Sequence, residues 1–287
     1  MILKSMSRKM IHSEDHRSIF FVVSILILQI SLWFIDPIYH FSWTELSLIG
    51  LGNALLVFVL TCINHNHRHC EIFFSKFWNE ILNIFLSLGM MAPSSRLHAV
   101  HAFNHHQNYQ NDQDWSTYHN VNDQIQGPLR MLSYLFCTVV KIGQQRQQLL
   151  PPKSFQRKLF WEVVILRLFM LVGLLINWPV FLSLWIGSQL GLLLLLLVNL
   201  ANHDRCQLDS EFNHSRNFHS GWESWICFNN GLHTIHHLRP GLHWSKYPEF
   251  HQNLVSGKIS PTLEERSLFV FLIKTYLFGS RKTHQSA

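Results

Sequence analysis

Val180-Phe-Leu-Ser-Leu-Trp-Ile-Gly-Ser-Gln-Leu-Gly-Leu-Leu-Leu-Leu-Leu-Leu-Val-Asn-Leu-Ala-Asn-His203 decides the fold. Its apolar residues run on without the polar stripe that a half-buried soluble helix needs, and it is long enough to cross a hydrocarbon layer as one helix. Working backwards, Leu159–Ile176 is a second such run, joined to the first by Asn177-Trp178-Pro179. Nearer the start, Ser18–Ile35 and Trp43–Cys62 repeat the arrangement across the short Asp36–Ser42 link. Four spans in two tight hairpins predict an all-α integral membrane protein. The chain is 48% hydrophobic with only 14% charged residues, a balance that fits this class.

Charge placement predicts orientation. Four basic residues precede the first span, nine lie between the second and third, and nine follow the fourth, so 22 of 23 fall outside the hairpin links. Such asymmetry places both termini and the long intervening loop in the cytoplasm. The remaining one, Arg167, lies within the third span, with Glu162 the nearest partner. The net charge of +6 invites a nucleic-acid reading, but no basic stripe interleaved with aromatics or recognition helix supports it. No small-residue cleavage site follows the first span, so it reads as a retained anchor rather than a signal peptide. The five cysteines contain no Cys-x-x-Cys pair, which argues against a disulfide framework and a thiolate zinc site. The expected organisation is a cytoplasmic, poorly ordered N-terminal segment (1–17), one membrane domain (18–280) and a disordered tail (281–287). Phe77–Met91, Met131–Ile142 and Ser267–Phe278 are shorter apolar stretches that suit interfacial amphipathic or re-entrant helices.

The opening stretch ends in Asn199-Leu-Ala-Asn-His203, and that histidine has company. His65-Asn-His67-Arg-His69 follows the second span, and His101-Ala-Phe-Asn-His105-His106 and His233-Thr-Ile-His236-His237 follow later. Ten of the 20 histidines fall in these four pieces. Spacings of three and four put the paired rings on one helix face. With charge-based topology, every cluster falls on the cytoplasmic side. The regular candidates are His65, His69, His101, His105, His106, His203, His233, His236 and His237. Nine imidazoles exceed what one zinc takes and suit two ions of iron, copper or zinc, with a redox pair of irons favoured. No Glu-x-x-His stands near the clusters, so any such site is histidine-based. Asp112, Asp114 and Asp204 are candidates to orient the rings from behind. His67 and His98 are reserves. His214, His219, His243 and His251 fit no spacing and read as surface residues, and Trp115, Trp222 and Trp225 read as packing or interface anchors.

Three boxes of this spacing in a four-span chain resemble the integral-membrane fatty acid desaturase and hydroxylase superfamily, in its bacterial type. Asn229-Asn-Gly-Leu-His233-Thr-Ile-His236-His237-Leu-Arg-Pro240 is the most specific piece. The resemblance implies a cytoplasmic helical cap carrying a di-metal site of two non-haem irons, held by the nine histidines, with Asn199 approaching one iron through water. It implies an O2-dependent oxidoreductase that removes hydrogen from unactivated C–H bonds of a lipid or acyl substrate among membrane lipids. Electrons would come from a separate donor of ferredoxin or cytochrome type, docked on Arg205, Arg216, Arg239 and Lys246. Desaturation of fatty acyl chains is the leading expectation. A hydroxylase or ketolase acting on an alkane, sterol or carotenoid is the alternative, because the second box is also similar to that of membrane alkane hydroxylases. A metal-binding membrane transporter and a membrane zinc hydrolase are more distant. The spans carry almost no histidine, and His-Glu-x-x-His is missing.

Overall fold

A computed structural model describes residues 10–145 and 152–279. It is helical apart from one pair of two-residue strands. The helices are α1 (His16–Tyr39), α2 (Trp43–His69), α3 (Lys76–Met90), α4 (Ser94–Val100), α5 (Gly127–Gln145), α6 (Lys153–Ile176), α7 (Trp178–His203), α8 (Gly221–Ile226), α9 (His233–Leu238), α10 (Tyr247–Leu254) and α11 (Leu268–Leu272). The strands are β1 (Asn217–Phe218) and β2 (Glu264–Glu265), paired in parallel. The chain divides into two compact units, Met1–Ala99 with Leu150–Leu195, and Val100–Leu149 with Leu196–Ala287.

The first unit holds the long helices. Ser13–Tyr39, Trp43–His69, Lys153–Ile176 and Trp178–His203 are each long and apolar enough to cross a membrane. Each outruns its apolar window. Helix α2 continues through His65 and His69 because backbone hydrogen bonding does not stop where hydrophobicity does. Ser42 begins α2 with a reciprocal cap, its hydroxyl taking the Glu45 N–H while the Glu45 carboxylate takes the Ser42 N–H. The two hairpin turns are tied together: Asn177 Nδ2 donates to Asp36 Oδ2 at 2.7 Å.

The interior of this unit is partly polar and its outside apolar. Gln29 Nε2 donates to Asn53 Oδ1 and to Gly89 O, both at 2.8 Å. Asn53 Nδ2 in turn reaches Leu184 O at 2.7 Å and Ser188 Oγ at 3.1 Å. Four helices are thus linked through buried polar side chains. Phe20, Ile38, Leu48, Leu51, Leu168 and Leu175 are exposed. In water that pattern would be a liability; in lipid it is the solvated surface. Close approach comes from small residues. A Cβ on Gly191 would stand 2.6 Å from Ala54 O and 2.8 Å from Val57 Cβ.

The stretch Phe77–Met91 forms α3, which buries Leu82, Leu86 and Met90 against α1, α2 and α6 and leaves Phe77 and Phe85 exposed. Two expectations are corrected here. Arg167 does not pair with Glu162, whose carboxylate instead accepts from Ser87 Oγ at 2.5 Å and Ser95 N at 3.0 Å; Arg167 is exposed. Residues 10–17 are tied down, Met10 bridging Phe73 and Ile11 N donating to Ile72 O, before a turn at Ser13–Asp15 leads into α1. The tail 281–287 lies outside the described residues, as does the chain before Met10.

The second unit is built around buried polar groups. Arg130 is 1% exposed and donates to Asp204 Oδ1 at 2.8 Å, while Tyr276 donates to Asp204 Oδ2 at 2.8 Å. This ties α5 to the end of α7 and to the turn after α11. Both Asp204 oxygens are thus engaged by Arg130 and Tyr276, and Asp112 is exposed. Glu223 of α8 starts α11 by accepting from Ser267 Oγ and from the N–H groups of Leu268 and Phe269.

Candidate metal centre

Short helix α9 supplies the third box. His233, His236 and His237 stand at i, i+3 and i+4, so their rings leave one face together. The second box folds differently from the α-helical spacing read in the sequence. His101–His105 is a single wider turn, closed by the His106 N–H on His101 O. On a regular α-helix residues five apart diverge by about 140°; in this π-turn His101 and His106 come together, Nε2 to Nε2 2.9 Å. The last turn of α7 delivers His203, which is wholly buried.

Four of these rings converge within the second unit. His105, His203, His233 and His237 each offer a nitrogen within 4.8 Å of the other three. His233 Nε2 stands 3.0 Å from His203 Nε2 and 3.0 Å from His237 Nε2. Nitrogens held at about 2.1 Å by one ion lie roughly 3.0–3.4 Å apart, so the observed spacing is that of a coordination shell. His105 Nε2 is buried with no hydrogen-bond partner, a bare atom that a cation would satisfy. The donor set is all imidazole, which suits iron, copper or zinc. His101, His106 and His236 form a neighbouring group, with His106 Nε2 3.1 Å from His236 Nε2. In the first unit, His65 and His69 share a face of α2 with ring centroids 5.0 Å apart.

Supporting contacts fix several rings. His105 Nδ1 meets Asp114 Oδ2 at 2.7 Å, as expected for Asp114. Burial pushes the Asp114 carboxyl up, but His105 and the N–H groups of Ser116 and Gln110 outweigh it and hold it at about 2. The carboxylate therefore stays charged and keeps the Nδ1–H tautomer, leaving Nε2 for the centre. Desolvation first, and then the surrounding imidazoles, push His237 well below the usual histidine range, so it presents a lone pair rather than a proton.

Tyr247 is a support that sequence reasoning missed: its hydroxyl stands 3.0 Å from His236 Nδ1, across eleven residues and a loop that carry no periodic signal. Tyr109 is another, its hydroxyl donating to His214 O at 2.8 Å and lying 3.4 Å from His203 Nδ1. Asn199 is held by its amide nitrogen, which donates to Ser116 O at 2.8 Å and Tyr134 Oη at 3.0 Å.

The reserves face elsewhere. His67 is buried on the other side of α2, its Nδ1 accepting from Ile72 N at 3.3 Å. The His98 ring lies beside Phe155. His214, His243 and His251 are buried rather than on the surface. Arg216 is also inside, donating to Ala201 O and lying over the Phe271 ring, so it belongs to no docking face.

A family model described as fatty acid desaturase matches residues 41–260, most of the chain, and the protein belongs to that family. No curated protein matches the sequence. The four apolar helices and the family together make it an integral membrane oxidoreductase of the desaturase and hydroxylase type, and its histidine clusters can bind metal.

Proposed function

We propose that the protein is an O2-dependent di-iron enzyme that desaturates fatty acyl chains of lipids or acyl thioesters, using electrons from a separate ferredoxin-type or cytochrome-type donor. The observation that carries this reading is the quartet His105, His203, His233 and His237, three of them buried and His237 half-buried, whose nitrogens face one another within 4.8 Å. These four would hold one ion. The other histidines of the boxes remain candidates for the second ion, and Asn199 acts near the metal through water. Two non-haem irons, when bound, supply with dioxygen the oxidising power to take hydrogen from an unactivated C–H bond.

The chain's own part is positional. Asp114 and Tyr247 hold His105 and His236 by their Nδ1 atoms, so that each Nε2 points inward. The fully buried Thr234 and Ile235 back the α9 rings and keep water from them. The lysine and arginine distribution supports a cytoplasmic centre with multi-pass spans. Arg239 and Lys246 remain as candidates to attract an acidic donor, with Arg205 partly engaged by Asp123 O.

Hydroxylation of an alkane, sterol or carotenoid is the second reading, favoured by the His-x3-His-His form of the second box. A transporter is disfavoured because the histidines gather outside the apolar spans rather than recurring within them. The deciding experiment expresses the protein with a reductase and donor in a host of known lipid content, followed by mass spectrometry of fatty acids and hydrocarbons. New cis double bonds are expected. New alcohols without alkenes would overturn desaturation in favour of the second reading. Metal accumulation with unchanged lipids would overturn both.

A further inference from the structure

A third group of metal-ligating side chains lies in the second unit, made from residues outside the boxes. His219, His251 and Glu264 each offer a ligand atom within 4.8 Å of the other two. They come from three segments: the end of β1, the middle of α10 and the start of β2. The backbone fixes this meeting. Asn217 pairs with Glu264 and Phe218 with Glu265 in the strand register, and the His219 N–H donates to Glu265 O at 3.0 Å. Asn217 Nδ2 then steadies the Glu264 carboxylate by donating to Oε1 at 3.2 Å.

The two imidazoles divide the carboxylate between them. His219 Nε2 contacts Glu264 Oε2, and His251 Nε2 stands 3.4 Å from Oε1. The second separation is long for a hydrogen bond, whose usual range ends near 3.2 Å. It is the spacing of neighbouring ligands on one ion. The rings meet edge to face with centroids 5.1 Å apart, which brings both imidazoles to the same carboxylate. Two neutral imidazoles and one carboxylate carry a net single negative charge, which suits a dication. Three protein ligands leave one position open, and His219 is exposed, so that position has access to water.

We propose that His219, His251 and Glu264 form a separate divalent-metal site that takes zinc and clamps β1, α10 and β2 together. Bound metal would stabilise the folded second unit by adding a link between segments up to 45 residues apart in sequence. The site is independent of the histidine-box centre and stands or falls without it.

The test uses the full-length, iron-loaded protein in detergent, dialysed against zinc chloride and desalted. Zinc and iron per chain are measured by mass spectrometry for the wild type, His219→Ala and Glu264→Gln. One zinc more per chain is expected in the wild type than in either variant, with iron unchanged. The wild-type unfolding temperature should rise by about 5 °C at a hundredfold excess of zinc over Kd, and that of His219→Ala should not. Equal zinc uptake in all three proteins would overturn the proposal and reduce the group to a histidine–carboxylate contact. If Glu264→Gln fails to fold, His219→Ala decides alone, because its side chain is exposed and fills no core space.

Discussion

The two compact units solve burial in opposite ways. In the first, exposed leucines and phenylalanines surround an interior linked by Gln29, Asn53 and Ser188, and close contact depends on glycines. In the second, the interior itself is chemical: three buried imidazoles beside the half-buried His237, an Asp114 carboxylate and the Arg130–Asp204 pair. Buried polar groups in the first unit join helix to helix, Gln29 to Asn53 and Asn53 to Ser188. In the second, His105 Nε2 is left bare. The difference separates a scaffold from a site. In the scaffold, amides and hydroxyls link the helices, whereas in the site four ring nitrogens face one another, an arrangement that a cation would satisfy.

Substitutions can break this contrast, beginning with the largest effect. His233→Ala removes the ring that lies 3.0 Å from both His203 and His237. Turnover should be lost, with iron per chain falling by about one while circular dichroism keeps its helical signal. Iron content equal to wild type would mean that the quartet is not a metal site.

Asp114→Asn keeps the shape behind His105 but removes the charge that fixes its tautomer. Metal affinity should fall about 10- to 100-fold, read by competition with a chelator, with little change in unfolding temperature. Tyr247→Phe removes a single neutral hydrogen bond to His236, so a drop of about tenfold, at the lower end of that range, is expected in the same assay.

Gly191→Ala probes the scaffold alone. Its methyl would press on Ala54 O and Val57, costing about 1–3 kcal/mol in thermal unfolding in detergent, while iron per chain stays unchanged. Iron loss from this variant would show that the two kinds of burial are not separable. The smallest effect belongs to His98→Ala, whose ring lies by Phe155; iron content and product yield should match the wild type.

Much of this was legible in the sequence because it rests on local periodicity. Spans are visible as apolar runs, and His65 with His69, or His233 with His236 and His237, are visible as i, i+3 and i+4 sets on one helix face. The second box was legible in its residues but not its geometry. The π-turn that joins His101 to His106 leaves no mark in a spacing rule built on 3.6 residues per turn. Helix α3 was legible only as a short apolar stretch; that its Asn79, Asn83 and Ser87 are buried in the first unit was not.

By itself, the sequence determined the helical membrane class, the four spans and the pool of imidazoles, since these follow from hydropathy and residue spacing along one chain. Only the tertiary structure decided which imidazoles share a centre, that Asp114 and Tyr247 hold two of them, that Asp204 is taken by Arg130, and that His219 meets His251 and Glu264. Those pairings join segments far apart in sequence. Loop closure and packing set them, and neither has a period that can be read along the chain.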